Sequence, residues 1–562
     1  MEVHDGFVDW KGNPANKHKH GGFRAARFIY FMVVMMNITY ASNVLNLVTY
    51  LRGTMLMDVA TSSTTVTNFI GVSCAFALIG GFLSDSYITR FKTIVLFGPL
   101  EFLGFGLLAL QAHLPSLQPP PCDASLRFSN CKQVQGNNAA LLYTALYITA
   151  FGEGCLRANL ASFGGDQFDD NDPIELQKKS KFFNWFTFSI SLGALIGLTF
   201  VVWIQDNKGW GVGFIVSAGI ILLGLLVVAF GFSHYRQQIP QGSPLSRMLQ
   251  VFVSAFRKRR LQFPENELEA YLEPDKEERV GELLTHTRGF KWLDKAIISD
   301  KNTENSYRCS VSQVEETKII FGMVPIFISV TIGYIPIRLL LTLTVQQGMT
   351  MNTKVGIIHI PPASLLVIPT ILQMVILVAY DQLFVPLARR ITRCPSGITH
   401  LQRAGVGFMA SALASCIGAL VERKRKQIAG RNGLIDSGEP IPMSVMWLLI
   451  QFIVICINDV FTPVGLLQFF NTEVSRGMKS LGTAIFWCVL GLSSLMGSAL
   501  ITLVNRVTKN GDIGWLDGNN LNRNYLDRFY WLLSVLGLFS FLNYLYWARK
   551  YEYRRHNPTP AS

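Results

Sequence analysis

Apolar residues along this 562-residue chain gather in blocks of about twenty or more, set apart by polar stretches. Blocks lie near 27–51, 64–84, 92–112, 138–162, 182–204 and 212–232, and again near 317–342, 363–386, 402–422, 442–464, 480–504 and 526–548. A hydrocarbon core about 30 Å thick is crossed by roughly 20 apolar residues in helical form. Each block therefore predicts a spanning helix. The expected organisation is a tail (1–26), a first six-helix bundle (27–232), a polar central loop (233–316), a second six-helix bundle (317–548) and a second tail (549–562). Within the central loop, Glu265 to Glu282 reads as surface helix interrupted at Pro274, and the segment as a whole reads as a linker.

Composition agrees. Half the residues are hydrophobic and 15% are charged, against about 25% charged in soluble domains. The 47 glycines suit close packing of membrane helices. The net charge of +13 is an excess of Lys and Arg in loops on one side, which orients membrane proteins with basic loops inside; nucleic-acid binding is a poor explanation. Lys11, Lys17, Lys19, Arg24 and Arg27 precede or open the first span. On the same side fall Arg90 and Lys92, then Lys178, Lys179 and Lys181, then Arg257 to Arg260, Arg389, Arg390, Arg393, Arg476 and Lys479, and finally Arg549, Lys550, Arg554 and Arg555. Both termini are expected in the cytosol. Arg423, Lys424, Arg425 and Lys426 break the pattern, because an even span count puts them outside.

The layout of two sets of six helices around a polar linker is that of the major facilitator fold, an all-α membrane architecture. No cleavable signal peptide is expected before the first span. The nine cysteines have no metal-ligand spacing, and no cofactor is expected. Cys122 and Cys131 share a polar loop where a disulfide can form if that loop faces an oxidising compartment. There is no nucleophile elbow and no phosphate-binding loop, so an enzyme is not expected.

Several motifs are more specific. Gly80-Gly81-Phe82-Leu83-Ser84-Asp85 lies between spans two and three, followed by Arg90 and Lys92. Gly164-Gly165-Asp166-Gln167-Phe168-Asp169 closes span four, and Phe182-Phe183-Asn184-Trp185-Phe186 opens span five. Thr399-His400-Leu401-Gln402-Arg403 opens span nine, and Phe529-Tyr530-Trp531 opens span twelve. Together these resemble the plant nitrate/peptide transporter family, a branch of the proton-coupled oligopeptide transporters. Met351-Asn352-Thr353-Lys354 with Ile360-Pro361-Pro362-Ala363-Ser364 looks like the subfamily that includes abscisic acid and gibberellin transporters. The resemblance implies alternating access about a mid-membrane site, with a small-molecule substrate such as nitrate, a peptide or a hormone, and usually proton coupling. It marks Asp85, Asp166, Gln167, Asp169 and Asn184 as gating or motif residues. The plasma membrane is the expected location, ahead of the vacuolar membrane.

Ionisable groups inside the spans cost roughly 2.5–3.5 kcal/mol to insert, and so face a cavity or a partner. Arg157 stands where the resemblance implies a cation and can hold a planar anion in a fork. Glu153, one turn earlier, pairs with it or titrates. Asp459 in span ten matches an acidic family position; it either meets Arg157 across the bundles, as a substrate-binding and second proton-coupling candidate, or is a buried acid capped by neighbouring backbone. Arg338 adds positive potential to the outer cavity or reaches for the interface. Tyr40, Asn43 and Trp487 are expected to line the substrate site, with Asn68 and Gln346 as weaker candidates; Glu101 reads as structural.

The departures matter as much. The family's first span carries a Glu-x-x-Glu-Arg/Lys motif resembling a proton site. Here it reads Val33-Val34-Met35-Met36-Asn37, which cannot bind a proton. In span ten Gln468 replaces an acid, and in span five Ser191 stands where Asn is usual. Three outcomes are open: coupling has moved to Glu153 or Asp459, the chain is a facilitator, or it has become a receptor-like or scaffold protein on the same fold. The leading expectation is a transporter of a small organic anion or nitrate.

Overall fold

The computed structural model describes residues 7–17, 19–57, 59–120, 133–169, 172–240, 242–260, 289–297, 309–352, 354–355, 358–359, 367–392, 397–435, 440–509, 514–516, 521–551 and 553. Among them, twelve helices are long and apolar enough to cross a membrane. They are α1 Gly22–Gly53, α2 Val59–Ser86, α3 Arg90–His113, α4 Gly136–Gly165, α5 Pro173–Lys208 and α6 Trp210–Phe230. After the central segment come α7 Val311–Met349, α8 Val367–Thr392, α9 His400–Arg431, α10 Leu448–Glu473, α11 Lys479–Val507 and α12 Leu526–Lys550. The expected Glu265–Glu282 helix, the Cys122 and Cys131 loop and the Ile360–Ser364 motif lie outside the described residues.

Local sequence explains where several helices begin. Asp172 caps α5, accepting from the Ile174 N–H, with Pro173 at the first helical position. Thr399 with Gln402, and Ser310 with Gln313, form reciprocal capping boxes at the starts of α9 and α7. Both α5 and α8 contain one π-helical turn, Gly197–Val201 and Tyr380–Phe384. Such turns re-aim side chains, and the second one carries Asp381.

Helices α1–α6 pack into one bundle and α7–α12 into the other, and the bundles touch where α2 and α4 meet α11 and where α5 meets α8 and α10. Between the bundles in sequence, an amphipathic helix Pro244–Arg257 buries Val251 and Ala255 against Leu293, Ala296 and Ile297. Short two-stranded pairings tie the periphery, including Phe7–Val8 with Gln237–Gln238 and Met351–Asn352 with Ile441–Ser444.

The basic run that broke the charge rule has a structural use. Helix α9 continues nine residues past the expected end at 422, to Arg431. Arg425 pairs with Glu422 at 2.6 Å, both fully buried. The same guanidinium donates to Thr350 Oγ1 at the end of α7 and to Asn522 Oδ1 before α12. Lys426 bonds Asp527 at 2.8 Å, and the Lys424 ammonium sits 3.6 Å from the Trp447 ring centroid. These cations fasten the outer end of the second bundle.

Candidate functional site

Helix geometry places Glu153 and Arg157, four residues apart, on one face of α4. Arg157 donates from Nη2 to Glu153 Oε1. Its guanidinium lies 4.0 Å from the ring centroid of Tyr40 on α1 and 4.4 Å from that of Trp487 on α11. One aromatic ring from each bundle thus grips the cation, a contact strengthened by exclusion of water. The Arg157 side chain is 11% exposed and that of Glu153 2%. Arg157 Nε and Trp487 Nε1 are buried without hydrogen-bond partners.

Behind Glu153, α3 presses on α4 so closely that a Cβ on Gly152 would sit 2.5 Å from the Glu101 backbone nitrogen. This brings the 1% exposed Glu101 side chain beside the pair, within range of the charges on Glu153 and Arg157. Its Oε2 has no hydrogen-bond partner. Glu101 matches no motif, and a carboxylate centred in an apolar run is the one signal the sequence offers for it.

The second bundle contributes Arg338 and Asp459. Arg338 lies 5.8 Å from the Tyr334 ring centroid and has a buried Nε without a partner. Cys74 of α2 lies at the same junction, donating to Trp487 O and accepting from Cys488 Sγ through its carbonyl. The expected contact between Arg157 and Asp459 is absent among the described residues: Arg157 bonds Glu153 and reaches across the bundles to Trp487. Similar depth along two helices does not fix which faces they turn to each other. Asn43 is also corrected. It donates to Thr39 O and Ser217 Oγ and accepts from Gln205 Nε2, inside the first bundle. Asn68 lines a cavity of about 410 Å³ together with Thr61, Thr65 and Tyr143.

At the end of the bundles that carries both termini, three of the expected gating or motif residues, Asp85, Asp166 and Asn184, make contacts between the bundles. Asp85 pairs with Arg90 at 2.8 Å and accepts the backbone N–H of Leu481 at 2.9 Å and of Ser480 at 3.4 Å. A carboxylate of the first bundle thereby caps the N-terminus of α11 in the second, where the helix dipole favours it. Arg90 also donates to Asp166 and, at 2.6 Å, to Ser480 Oγ, and Lys479 approaches Asp166 at 3.6 Å. Gly81 permits this: a Cβ there would lie 2.9 Å from the Ser480 carbonyl oxygen. Deeper in, Ser162 donates to Lys479 O and meets Thr483 Oγ1 at 2.6 Å, with Asn471 donating to Ser162.

The other flank is closed by Asn184 on α5. It donates to Asp381 Oδ1 on α8 at 2.8 Å and accepts from Arg403 on α9 at 2.9 Å. Gln468 on α10 donates to Ser180 O. Gln167 and Asp169 serve the first bundle itself. Gln167 bonds the backbone of Arg236 in both directions, and the Asp169 N–H donates to Glu175, which pairs with Arg236 at 2.8 Å. Lys479 and Asp381 were missed as gate residues, since their partners are brought by the other bundle.

A charged, aromatic-clamped site at the interface of two six-helix bundles, shut on the side that carries the termini, is the arrangement expected of an alternating-access carrier. Residues 91–516 match the POT family. The chain belongs to the POT family. Among curated relatives, it is similar to Protein NRT1/ PTR FAMILY 4.6 of Arabidopsis thaliana, 40% identical over 574 residues covering 98% of this chain and 97% of that protein. It is likewise 40% identical to Protein NRT1/ PTR FAMILY 4.5 of the same plant, over 98% of this chain and 97% of that one. The POT family transporter PepTSo has a similar fold, with TM-score 0.60 at 16% identity, covering 94% of this chain and 98% of its own. A POT family transporter in complex with 5-aminolevulinic acid is similar at TM-score 0.57 and 12% identity, covering 94% and 96%. This POT-family chain is therefore a multi-pass membrane transporter, and its fold is the one expected.

Proposed function

We infer that this transporter carries a small organic anion, bound between the bundles by Arg157 and Arg338 and moved by alternating access. The observation that carries this reading is the surplus of buried donors. Arg157 Nε, Arg338 Nε and Trp487 Nε1 each lack an acceptor. An unsatisfied buried donor costs about 1–3 kcal/mol, a cost that an acceptor-rich ligand removes. A carboxylate supplies such acceptors and matches a guanidinium fork. Tyr40 and Trp487 present ring faces for the apolar body of the ligand. In the absence of a first-span acid, protons enter through the carboxyl groups that share the Arg157 site, with Glu153 foremost.

The same cytosolic contacts support an outward-facing resting form. Arrival of an anion at Arg157 competes with Glu153 and disturbs the Trp487 contact that joins α4 to α11. Uptake in oocytes tests the reading, using labelled abscisic acid, a gibberellin, nitrate and a dipeptide at about pH 5.5 and about pH 7.5, values that straddle the usual His range near 6.5. Control cells are subtracted, because weak acids also cross unaided. Saturable uptake of an anionic probe, larger at the lower pH, is expected. Saturable uptake of the dipeptide alone refutes the anion reading.

A further inference from the structure

The first bundle holds two buried carboxyls and one cation at a single depth. Glu153 has the Arg157 guanidinium. Glu101 does not: its Oε2 is buried and unpartnered, and its side chain is 1% exposed. The groups that face this cluster are few. From α4 come Glu153 and Arg157, from α1 Tyr40, and from α2 Cys74 with Cys488 of α11 beside it, while Arg338 of α7 lies beyond them on the side of Tyr40 and Cys74. Helix α6 covers α3 with Leu225 against Gly98, and its residues Trp210–Phe230 include no ionisable acid or base. With both carboxyls ionised the Glu101, Glu153 and Arg157 set carries one net negative charge in a water-poor place. Several kcal/mol oppose a buried, unpaired ion, and such a group neutralises instead.

We propose that Glu101 is a proton-binding residue of this transporter, occupied in the empty site, and that Glu153 takes a second proton when an anion engages Arg157. The charge count closes in both states. In the empty site the Glu101 carboxylic acid is neutral and the Glu153 carboxylate is balanced by Arg157. When the substrate carboxylate bonds Arg157, Glu153 loses its cation and takes one proton from the outer side, so the loaded site is again neutral. On the cytosolic side the anion leaves, Arg157 returns to Glu153, and that proton departs. One proton moves with each monoanion and no net charge crosses. The pair on α3 and α4 thus does the work for which the first span has no acid. This coupling role rests on the anion-transport reading, whereas the proton on Glu101 does not.

Infrared spectroscopy of the full chain in lipid nanodiscs reads that proton without any substrate. Wild-type protein at neutral pH is expected to show the carbonyl band of a protonated carboxyl, and the band is expected to shift when glutamate is carboxyl-labelled with carbon-13. Glu101→Gln, an isosteric change, is expected to remove it. A wild-type spectrum with no glutamate-sensitive band overturns the proposal whether or not the variant folds, and so does an unchanged band in folded Glu101→Gln. The one-for-one count is read separately in voltage-clamped oocytes with abscisic acid as probe. Saturable uptake without inward current is expected, and current in proportion to uptake overturns the count.

Discussion

Arg157 keeps its charge at any physiological pH, so what changes through a transport cycle is its partner. In the structure that partner is Glu153, with the Tyr40 and Trp487 rings against the guanidinium. Arg157→Lys retains the charge but loses the fork and most of the stacking. It is expected to leave protein at the surface and to raise the half-saturating concentration of an anionic substrate about tenfold or more, the equivalent of about 1.4 kcal/mol; kinetics in oocytes check this. Asn184 is the residue-scale counterpart in the gate. Asn184→Ala removes hydrogen bonds to Asp381 and Arg403, each worth about 1.5–3 kcal/mol because the partner is charged. The variant is expected to populate the cytosol-open form, seen as faster labelling of a cysteine placed near Ser162 by a reagent added from the cytosolic side. Much of this was legible: Arg157, Glu153, Asn184 and Asp85 all stand out as charges or amides in apolar surroundings. The partners Trp487 and Asp381 were not paired with them in advance, because a chain of spans says nothing about which faces of distant helices meet.

At the scale of elements, periodicity and block length located all twelve helices, since burying apolar runs of that length leaves the membrane few alternatives. Boundaries fared worse where charges are used inside the protein. Helix α9 seemed to end at its charged run, yet Glu422 and Arg425 neutralise each other within the fold and the helix continues. Arg425→Met is expected to destabilise the protein by about 3–5 kcal/mol through the uncompensated Glu422, whereas Glu422→Leu with Arg425→Met together is expected to recover most of that; thermal unfolding in detergent compares them. The α2–α11 contact offers a second test. Gly81→Val puts a branched side chain where Ser480 O leaves no space for a Cβ. The expected result is a folded protein with uptake lost, because the cytosolic gate no longer closes. Unimpaired uptake by that variant contradicts the close approach as a requirement for the cycle.

For the whole molecule, the two bundles meet through polar contacts concentrated toward the end that carries both termini, with the charged site above them. Of the motif residues, Asp85, Asp166 and Asn184 make contacts between the bundles, whereas Gln167 and Asp169 bond within the first. Of the residues expected to line a substrate site, Arg157, Tyr40 and Trp487 converge, while Asn43 turns into the first bundle. Sequence position fixes depth in the membrane far better than azimuth, and a binding site depends on both. The loss of the first-span acids, read from Val33 to Asn37, directs attention to other buried carboxyls, and the fold supplies Glu101 and Glu153 within one neighbourhood.

The central claim, that an anion binds at Arg157 between the bundles, is tested most directly by ligand-induced stabilisation of purified protein. The comparison is wild type against Arg157→Gln with Glu153→Gln, a double change that leaves no unpaired charge behind. A ligand at about one hundred times its Kd adds about 2.7 kcal/mol to the state it binds. Abscisic acid or a gibberellin is expected to raise the Tm of wild type in a saturable manner and to leave the double variant unmoved. An equal rise in both proteins would contradict the claim and place the anion elsewhere.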